Sequence, residues 1–173
     1  MMLDLFKAQA GRILVVLGSA CFGLLVFGLY LQHAVGLEPC PMCIVQRYLL
    51  VLMGVFCILA GLLHGRLAGT AFSGLAILAG ASGAFVAARQ SWLQWYPPEV
   101  VSCGRDLYGM IEAFPIQRVL PMVFKGSGDC SKIDWTFLGG SIANWSFLWF
   151  VGAGVVCIAA LALPRTKPVQ AKA

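Results

Sequence analysis

What most restricts this chain is a set of four apolar stretches, residues 13–31, 44–63, 67–88 and 142–163. An α-helix rises 1.5 Å per residue, so about 20 residues match a hydrocarbon core of roughly 30 Å. Four such stretches take up nearly half of the 173 residues, and the segments between and around them leave no room for a separate soluble domain. Only 11% of the residues are charged and 60% are hydrophobic, whereas about a quarter of an ordinary soluble domain is charged. The reading is an all-α integral membrane protein: a four-transmembrane-helix bundle forming a single membrane domain over 1–173, with outward loops at about 32–43 and 89–141.

Lys7 and Arg12 precede the first stretch, as in a signal peptide. The stretch exceeds the roughly 7 to 15 residues of a signal core, and no small-x-small cleavage site closes it, so it reads as a retained span. The second stretch is interrupted early by Gln46 and Arg47; a cation near the end of a span reaches the headgroups at modest cost. In the third, Ala76, Gly80, Ala84 and Ala88 recur every four residues, a stripe that lets a neighbouring helix approach closely.

The charges orient the bundle. One side carries Lys7, Arg12, Arg66, Arg165, Lys167 and Lys172 against Asp4 alone. On the other, Arg47, Arg89, Arg105, Arg118, Lys125 and Lys132 are balanced by Glu38, Glu99, Asp106, Glu112, Asp129 and Asp134. Positive residues stay inside, so both termini are expected in the cytoplasm and both loops outside. The basic residues never form a stripe that could follow phosphates, which argues against nucleic acid as a partner.

In the long loop, Trp92, Trp95 and Tyr96 read as an aromatic belt, and Pro97-Pro98 as a helix stop. Leu107, Met110, Ile111 and Phe114 follow helical spacing and predict a short interfacial helix. Gly126-Ser127-Gly128-Asp129 is turn chemistry that delivers Cys130 on a flexible segment. The tail after Pro164 is read as disordered.

Seven cysteines divide into two groups. Cys21, Cys57 and Cys157 lie in apolar stretches and read as small buried hydrophobes. Cys40, Cys43, Cys103 and Cys130 lie outside them, and an even set facing an oxidising compartment fits two disulfides. Structural staples would explain the even number but not the Cys40-Pro41-Met42-Cys43 motif at the membrane boundary with Arg47 one turn on. With a helix starting near Ile44, Cys43 stands at a helix N-terminus, where the dipole and Arg47 favour a thiolate. That pattern points to thiol-disulfide redox chemistry. A four-cysteine zinc site is the alternative binding reading, but Cys103 and Cys130 lack the short spacing of a second zinc knuckle. His33 and His64, expected on opposite sides, cannot sandwich one haem, and no acidic residue lies in a span to carry ions. His33 lies near the redox site, where a minor cofactor contact is open.

These residues carry a resemblance. Four spans, the outward C-x-x-C followed by Arg47, Gln94-Trp95-Tyr96-Pro97 before Cys103, and Ser127-Gly128-Asp129-Cys130 followed by Trp135, Phe137, Leu138 and Gly139 resemble the DsbB family, the bacterial disulfide bond formation protein B. The resemblance covers nearly the whole chain. It departs where some members carry a histidine before the aromatic-Pro segment and this chain reads Arg89-Gln90. The resemblance implies a bacterial inner-membrane oxidoreductase. In that scheme a periplasmic thioredoxin-like dithiol protein (DsbA-like) attacks a Cys103–Cys130 bridge at Cys103, and Cys130 exchanges with the Cys40–Cys43 pair. Cys43, with Arg47 supporting its thiolate, then passes electrons to a membrane quinone, ubiquinone or menaquinone. A partner near about −120 mV, the established value for such a protein, is not reoxidised by a disulfide near about −200 mV, since about 80 mV uphill costs roughly 4 kcal/mol for two electrons. A lipid-soluble oxidant meets that need at a sulfur held on the bilayer boundary. A vitamin K epoxide reductase-like protein is the alternative, but there the C-x-x-C is expected late in the bundle, and here it follows the first span.

Overall fold

In the computed structural model, residues 2–96 and 130–162 are described, with side chains from Gln9 onward. The predicted interfacial helix, Pro97-Pro98, the 126–129 turn, the C-terminal tail and Cys103 lie outside the described residues. Four long helices carry the fold: α1 (Met2–Ala34), α2 (Pro41–Leu62), α3 (Leu67–Trp95) and α4 (Ile142–Ala162). A two-residue hairpin, β1 (Thr136–Phe137) and β2 (Gly140–Ser141), leads directly into α4. All four helices are long and apolar enough to cross a membrane, and the chain is a multi-pass membrane protein.

Side-chain burial runs inside out. Val16, Val26, Leu62, Leu67, Phe85 and Val155 face outward, while the interior is built of small residues around Leu14, Met53 and Phe150. Lipid tails are as apolar as leucine, so the helices are held by close packing rather than by exclusion of water. α1 and α2 meet through glycines: a methyl on Gly18 would lie 2.6 Å from the Gly54 carbonyl oxygen, and one on Gly61 would lie 2.5 Å from that of Gly11. On α3 the seam follows Ala76, Gly80, Gly83, Ala87 and Gln90, all buried. The expected four-residue stripe therefore holds fully for Ala76 and Gly80, in part for Ala84, which packs against the core from its edge, and not for Ala88. Ala84 is half-buried and Ala88 exposed, because contact with two flanking helices advances in alternating steps of four and three. Gly83 makes room for the buried ring of Phe150 on α4.

Helix ends differ from the expected spans. α1 extends well beyond 13–31, since backbone hydrogen bonding continues past the point where charge ends lipid solubility. α2 starts at Pro41 rather than near Ile44: Cys40, extended at φ −77°, is its N-cap, and Pro41 occupies the first turn, where its missing N–H costs nothing. α3 continues seven residues past Ala88, to Trp95, so Arg89, Gln90 and Gln94 lie on a helix rather than in the loop. The belt residues Trp92, Trp95 and Tyr96 are exposed at its end, with the rings of Trp92 and Tyr96 4.8 Å apart.

α1 packs on α2, α2 on α3 and α3 on α4, whereas α1 and α4 touch little. Cys57 and Cys157 meet in the core with sulfurs 3.6 Å apart, and Cys21 is buried there too, as expected for cysteines of the apolar stretches.

Candidate functional site

Where α1 and α4 separate, at the Cys40 end of the bundle, lies a cavity of about 530 Å³. Its walls are mainly apolar, with Leu24, Phe27, Leu31 and Leu50 from the first two helices and Trp145 and Trp149 from α4. The polar part of the lining includes Cys40, Cys43, Gln46, Arg47, Gln90 and Gln94, and Glu38, Lys132 and Asp134 add charged groups.

The C-x-x-C geometry follows from the cap. With Cys40 just outside the helix and Cys43 in its first turn, both sulfurs turn to the same side, 3.0 Å apart, and the Cys43 amide donates to Cys40 Sγ at 3.4 Å. Cys130, buried in the turn after the undescribed segment, hydrogen-bonds with Cys40 and packs in a cluster with Met42 and Leu93. Three of the four predicted cysteines thus meet at one point. Hydrogen bonding to Cys130, then to Cys43, together with burial, holds the Cys40 thiol well above its ordinary value.

Arg47 lines the same cavity, but its guanidinium reaches α1: Nη1 donates to Gln32 Oε1 at 2.6 Å and Nη2 to the Gly28 carbonyl oxygen at 3.4 Å. Gln32 and Gly28 hold this cation at the cavity wall, as a desolvated charge requires.

The polar residues that sequence reasoning gave no role are the glutamines. Gln90 and Gln46 are buried, at 4% and 6% exposure, and Gln46 Nε2 donates to Gln90 Oε1 at 2.7 Å. Gln90 Nε2 then points at both sulfurs, 3.4 Å from Cys40 and 3.2 Å from Cys43. Gln94, one turn on, accepts a hydrogen bond from Ser141 Oγ at 2.6 Å, and the same oxygen caps α4 by accepting from the Asn144 amide at 3.4 Å. The available signal was the spacing of Gln90 and Gln94 on the small-residue seam of α3, where an amide inside an apolar helix must find a partner. His33 is exposed and is not part of the cavity lining.

The hairpin shapes the remaining wall. Leu138 and Gly139, at φ 50° and 80°, form its two-residue turn, and Thr136 pairs with Ser141. The Trp145 indole donates to the Phe137 carbonyl oxygen at 2.9 Å, and Phe27, Trp135, Phe137 and Trp145 run ring to ring from α1 to α4 with centroids 6.1 to 6.4 Å apart. The aromatic row joins the two helices that otherwise separate.

A cysteine pair capping a membrane helix, with a third cysteine against it, is an arrangement suited to disulfide exchange. Residues 10–160 match the family model "Disulfide bond formation protein DsbB". The chain belongs to the DsbB family. It is similar to curated DsbB-family proteins named "Disulfide bond formation protein B". One from Polaromonas sp. (strain JS666 / ATCC BAA-500) is 61% identical over 95% of this chain and 100% of that protein. One from Albidiferax ferrireducens is 63% identical over 88% and 86%, and one from Acidovorax sp. (strain JS42) is 58% identical over 92% of each. DsbB membership accords with the bundle of four long apolar helices.

Proposed function

We propose that this protein is a thiol oxidase of the bacterial inner membrane, with both termini cytoplasmic, which reoxidises a periplasmic thioredoxin-like dithiol protein (DsbA-like) and passes the electrons to a membrane quinone. The observation that carries the reading is the meeting of Cys40, Cys43 and Cys130 at the wall of a largely apolar cavity that Arg47 also lines. The names of the similar proteins support disulfide formation as the activity.

Cys103 and Cys130 form the water-side pair. Attack on Cys103 by the partner's thiolate, followed by closure of the partner's own disulfide, leaves Cys103 and Cys130 reduced. The Cys130 thiolate then attacks Cys40, forming a Cys40–Cys130 bond as the Cys40–Cys43 bond breaks and Cys43 leaves as thiolate. Cys103 next attacks Cys130, which restores the outer disulfide and leaves the Cys40–Cys43 pair holding two electrons. The hydrogen bond between Cys130 and Cys40 supports this order. It leaves Cys43, whose sulfur lines the cavity, as the electron donor.

The cavity fits a quinone by its chemistry. Its volume of about 530 Å³ suits a ring with part of an apolar tail, its lining is mostly apolar, and Arg47 offers a cation to a carbonyl oxygen that gains negative charge. Leu24, Phe27, Leu31, Leu50 and Trp145 would hold the ring and tail, with Arg47 and Cys43 at the reacting end. When bound, the quinone accepts two electrons and two protons. Gln32 and Gly28 keep Arg47 at the wall, and the aromatic row from Phe27 to Trp145 lines the cavity's other side.

The test is anaerobic quinone reduction by purified protein given reduced partner, followed by quinone absorbance. Wild-type protein is expected to turn over, and Cys43→Ser and Cys103→Ser are each expected to abolish turnover. Reduction that survives either substitution overturns the route.

A further inference from the structure

The Gln46–Gln90 pair has no part in the exchange sequence above, yet it touches both sulfurs that the sequence uses. A primary amide offers an acceptor at one end and a donor at the other, so the end that faces a sulfur decides which form of that sulfur is favoured. Gln90 is buried on the α3 seam, where water does not compensate a poor choice. Gln46 Nε2 engages Gln90 Oε1 at 2.7 Å and leaves Nε2 as the nearer end to the sulfurs, 3.4 Å from Cys40 and 3.2 Å from Cys43, while Oε1 stands back at 3.7 Å from Cys43 Sγ. Two N–H groups are thereby directed at two sulfurs. The opposite orientation would exchange the two ends and make the oxygen the nearer group to both sulfurs, where it favours the thiol and repels a thiolate.

We infer that Gln46 is a positioning residue that, by holding the oxygen of Gln90, directs the Gln90 amide N–H groups at Cys40 and Cys43 and so raises the reactivity of Cys43 as a thiolate. The inference rests on the proposal that the pair is a redox dithiol, and it adds two residues on adjacent helices, one of which touches neither sulfur. It also explains an amide at position 46, one turn from the start of a membrane helix: Gln46 donates, and a carboxylate at that position accepts only. The donor groups stabilise the reduced, anionic sulfur, so they also ease reduction of the Cys40–Cys43 disulfide. In that step two electrons and two protons from dithiothreitol convert the disulfide to two thiols, and dithiothreitol becomes its cyclic disulfide.

The experiment uses the full-length protein in lipid nanodiscs without quinone or partner. After reduction and removal of reductant, the rate of iodoacetamide addition to Cys43 is read from its peptide by mass spectrometry. The Cys40–Cys43 equilibrium with dithiothreitol is read in parallel. Gln90→Leu is expected to slow Cys43 alkylation by about tenfold or more, the size of effect a lost hydrogen bond to a charged group produces. Gln46→Glu, which draws the Gln90 donor end toward itself, is expected to slow it as much. Gln46→Met, which leaves the amide free to rotate, is expected to fall between wild type and Gln46→Glu. The equilibrium with dithiothreitol shifts toward the disulfide in the same rank order.

The decisive comparison is the double variant. If position 46 acts through Gln90, adding Gln46→Glu to Gln90→Leu slows alkylation no further. Additive effects would show that the introduced charge acts directly on the sulfur and would overturn the inference, as would equal rates for wild type, Gln46→Met and Gln46→Glu. Melting curves in nanodiscs accompany each variant, and Gln46→Met is the conservative one should Gln46→Glu fail to fold. Since neither readout involves quinone, protein that shows the expected rank order without quinone reduction refutes the functional proposal and leaves the amide clamp standing. Quinone reduction with no rank order does the reverse.

Discussion

The glycine seam between α1 and α2 makes a prediction whose sign changes within one helix. A methyl group on Gly18 would lie 2.6 Å from the Gly54 carbonyl oxygen, 2.7 Å from Ile58 Cγ1 and 3.1 Å from the Ile58 nitrogen. An unstrained carbon–oxygen contact is about 3.3 Å or more, so α1 and α2 must separate locally by about 0.7 Å. Two of the three atoms belong to backbone and have no rotamer through which to escape. Overpacking of this kind costs about 1–3 kcal/mol. Gly23, on the same helix, has nothing within 4 Å of the corresponding position. Gly23→Ala therefore meets no obstacle and gains up to about 1 kcal/mol of helix propensity. Melting in detergent, followed by circular dichroism, is expected to show Gly18→Ala lowered by roughly 2 to 10 °C and Gly23→Ala unchanged or raised. α1 also holds the acceptors of Arg47, so quinone reduction is expected to fall in Gly18→Ala and to persist in Gly23→Ala. A Gly18→Ala protein as stable as Gly23→Ala would refute the close packing of α1 on α2.

Three further outcomes are expected. Arg47→Lys keeps the charge but cannot span both Gln32 Oε1 and the Gly28 carbonyl oxygen, so the KM for quinone is expected to rise about tenfold with charge retained, and further with Arg47→Gln, in steady-state assays. Leu138→Gly is expected to stabilise the protein by about 1 kcal/mol, read as a higher Tm, because an 82% exposed leucine at φ 50° pays for a left-handed backbone without packing in return. Cys40, whose thiol lies above its ordinary value chiefly through Cys130, is expected to stay unreactive toward iodoacetamide across neutral and mildly alkaline pH. Cys130→Ala removes the largest cause of that shift, so the Cys40 reactivity profile, measured by peptide mass spectrometry, moves to lower pH.

Much of this architecture is legible in the sequence because lipid solubility is read from composition alone. The four apolar stretches give the helices, and α4 begins at Ile142, the first residue of the expected span. Helix ends elsewhere escape that reading. Nothing in hydropathy distinguishes Arg89 and Gln90 on a helix from the same residues in a loop, and only the buried face of α3 reveals that they continue it. The Cys40–Cys43 pair is legible by its spacing, but the placement of Cys40 as N-cap depends on Pro41 opening the helix. Bringing Cys130 onto Cys40 is a tertiary event across a separation of 90 residues, and no local pattern encodes it. The glycines of the α1–α2 contact recur at intervals of seven, Gly11 with Gly18 and Gly54 with Gly61, a two-turn spacing that is legible in the sequence. Arg47 points to α1 rather than along α2 because Gln32 and the Gly28 carbonyl oxygen are the acceptors that its fork can reach from the cavity wall.

On the proposed route, electrons enter the membrane-side pair through Cys130 and Cys40. The direct measurement is the bond that forms when the exchange is stopped midway. In a Cys43→Ser, Cys103→Ser protein, where neither resolving sulfur remains, oxidation in nanodiscs followed by proteolysis and mass spectrometry is expected to give a Cys40–Cys130 linked peptide as the dominant product. The matching Cys40→Ser, Cys103→Ser protein is expected to give far less Cys43–Cys130 product. A dominant Cys43–Cys130 link, or no link to Cys130 in either protein, would rule out entry through Cys40.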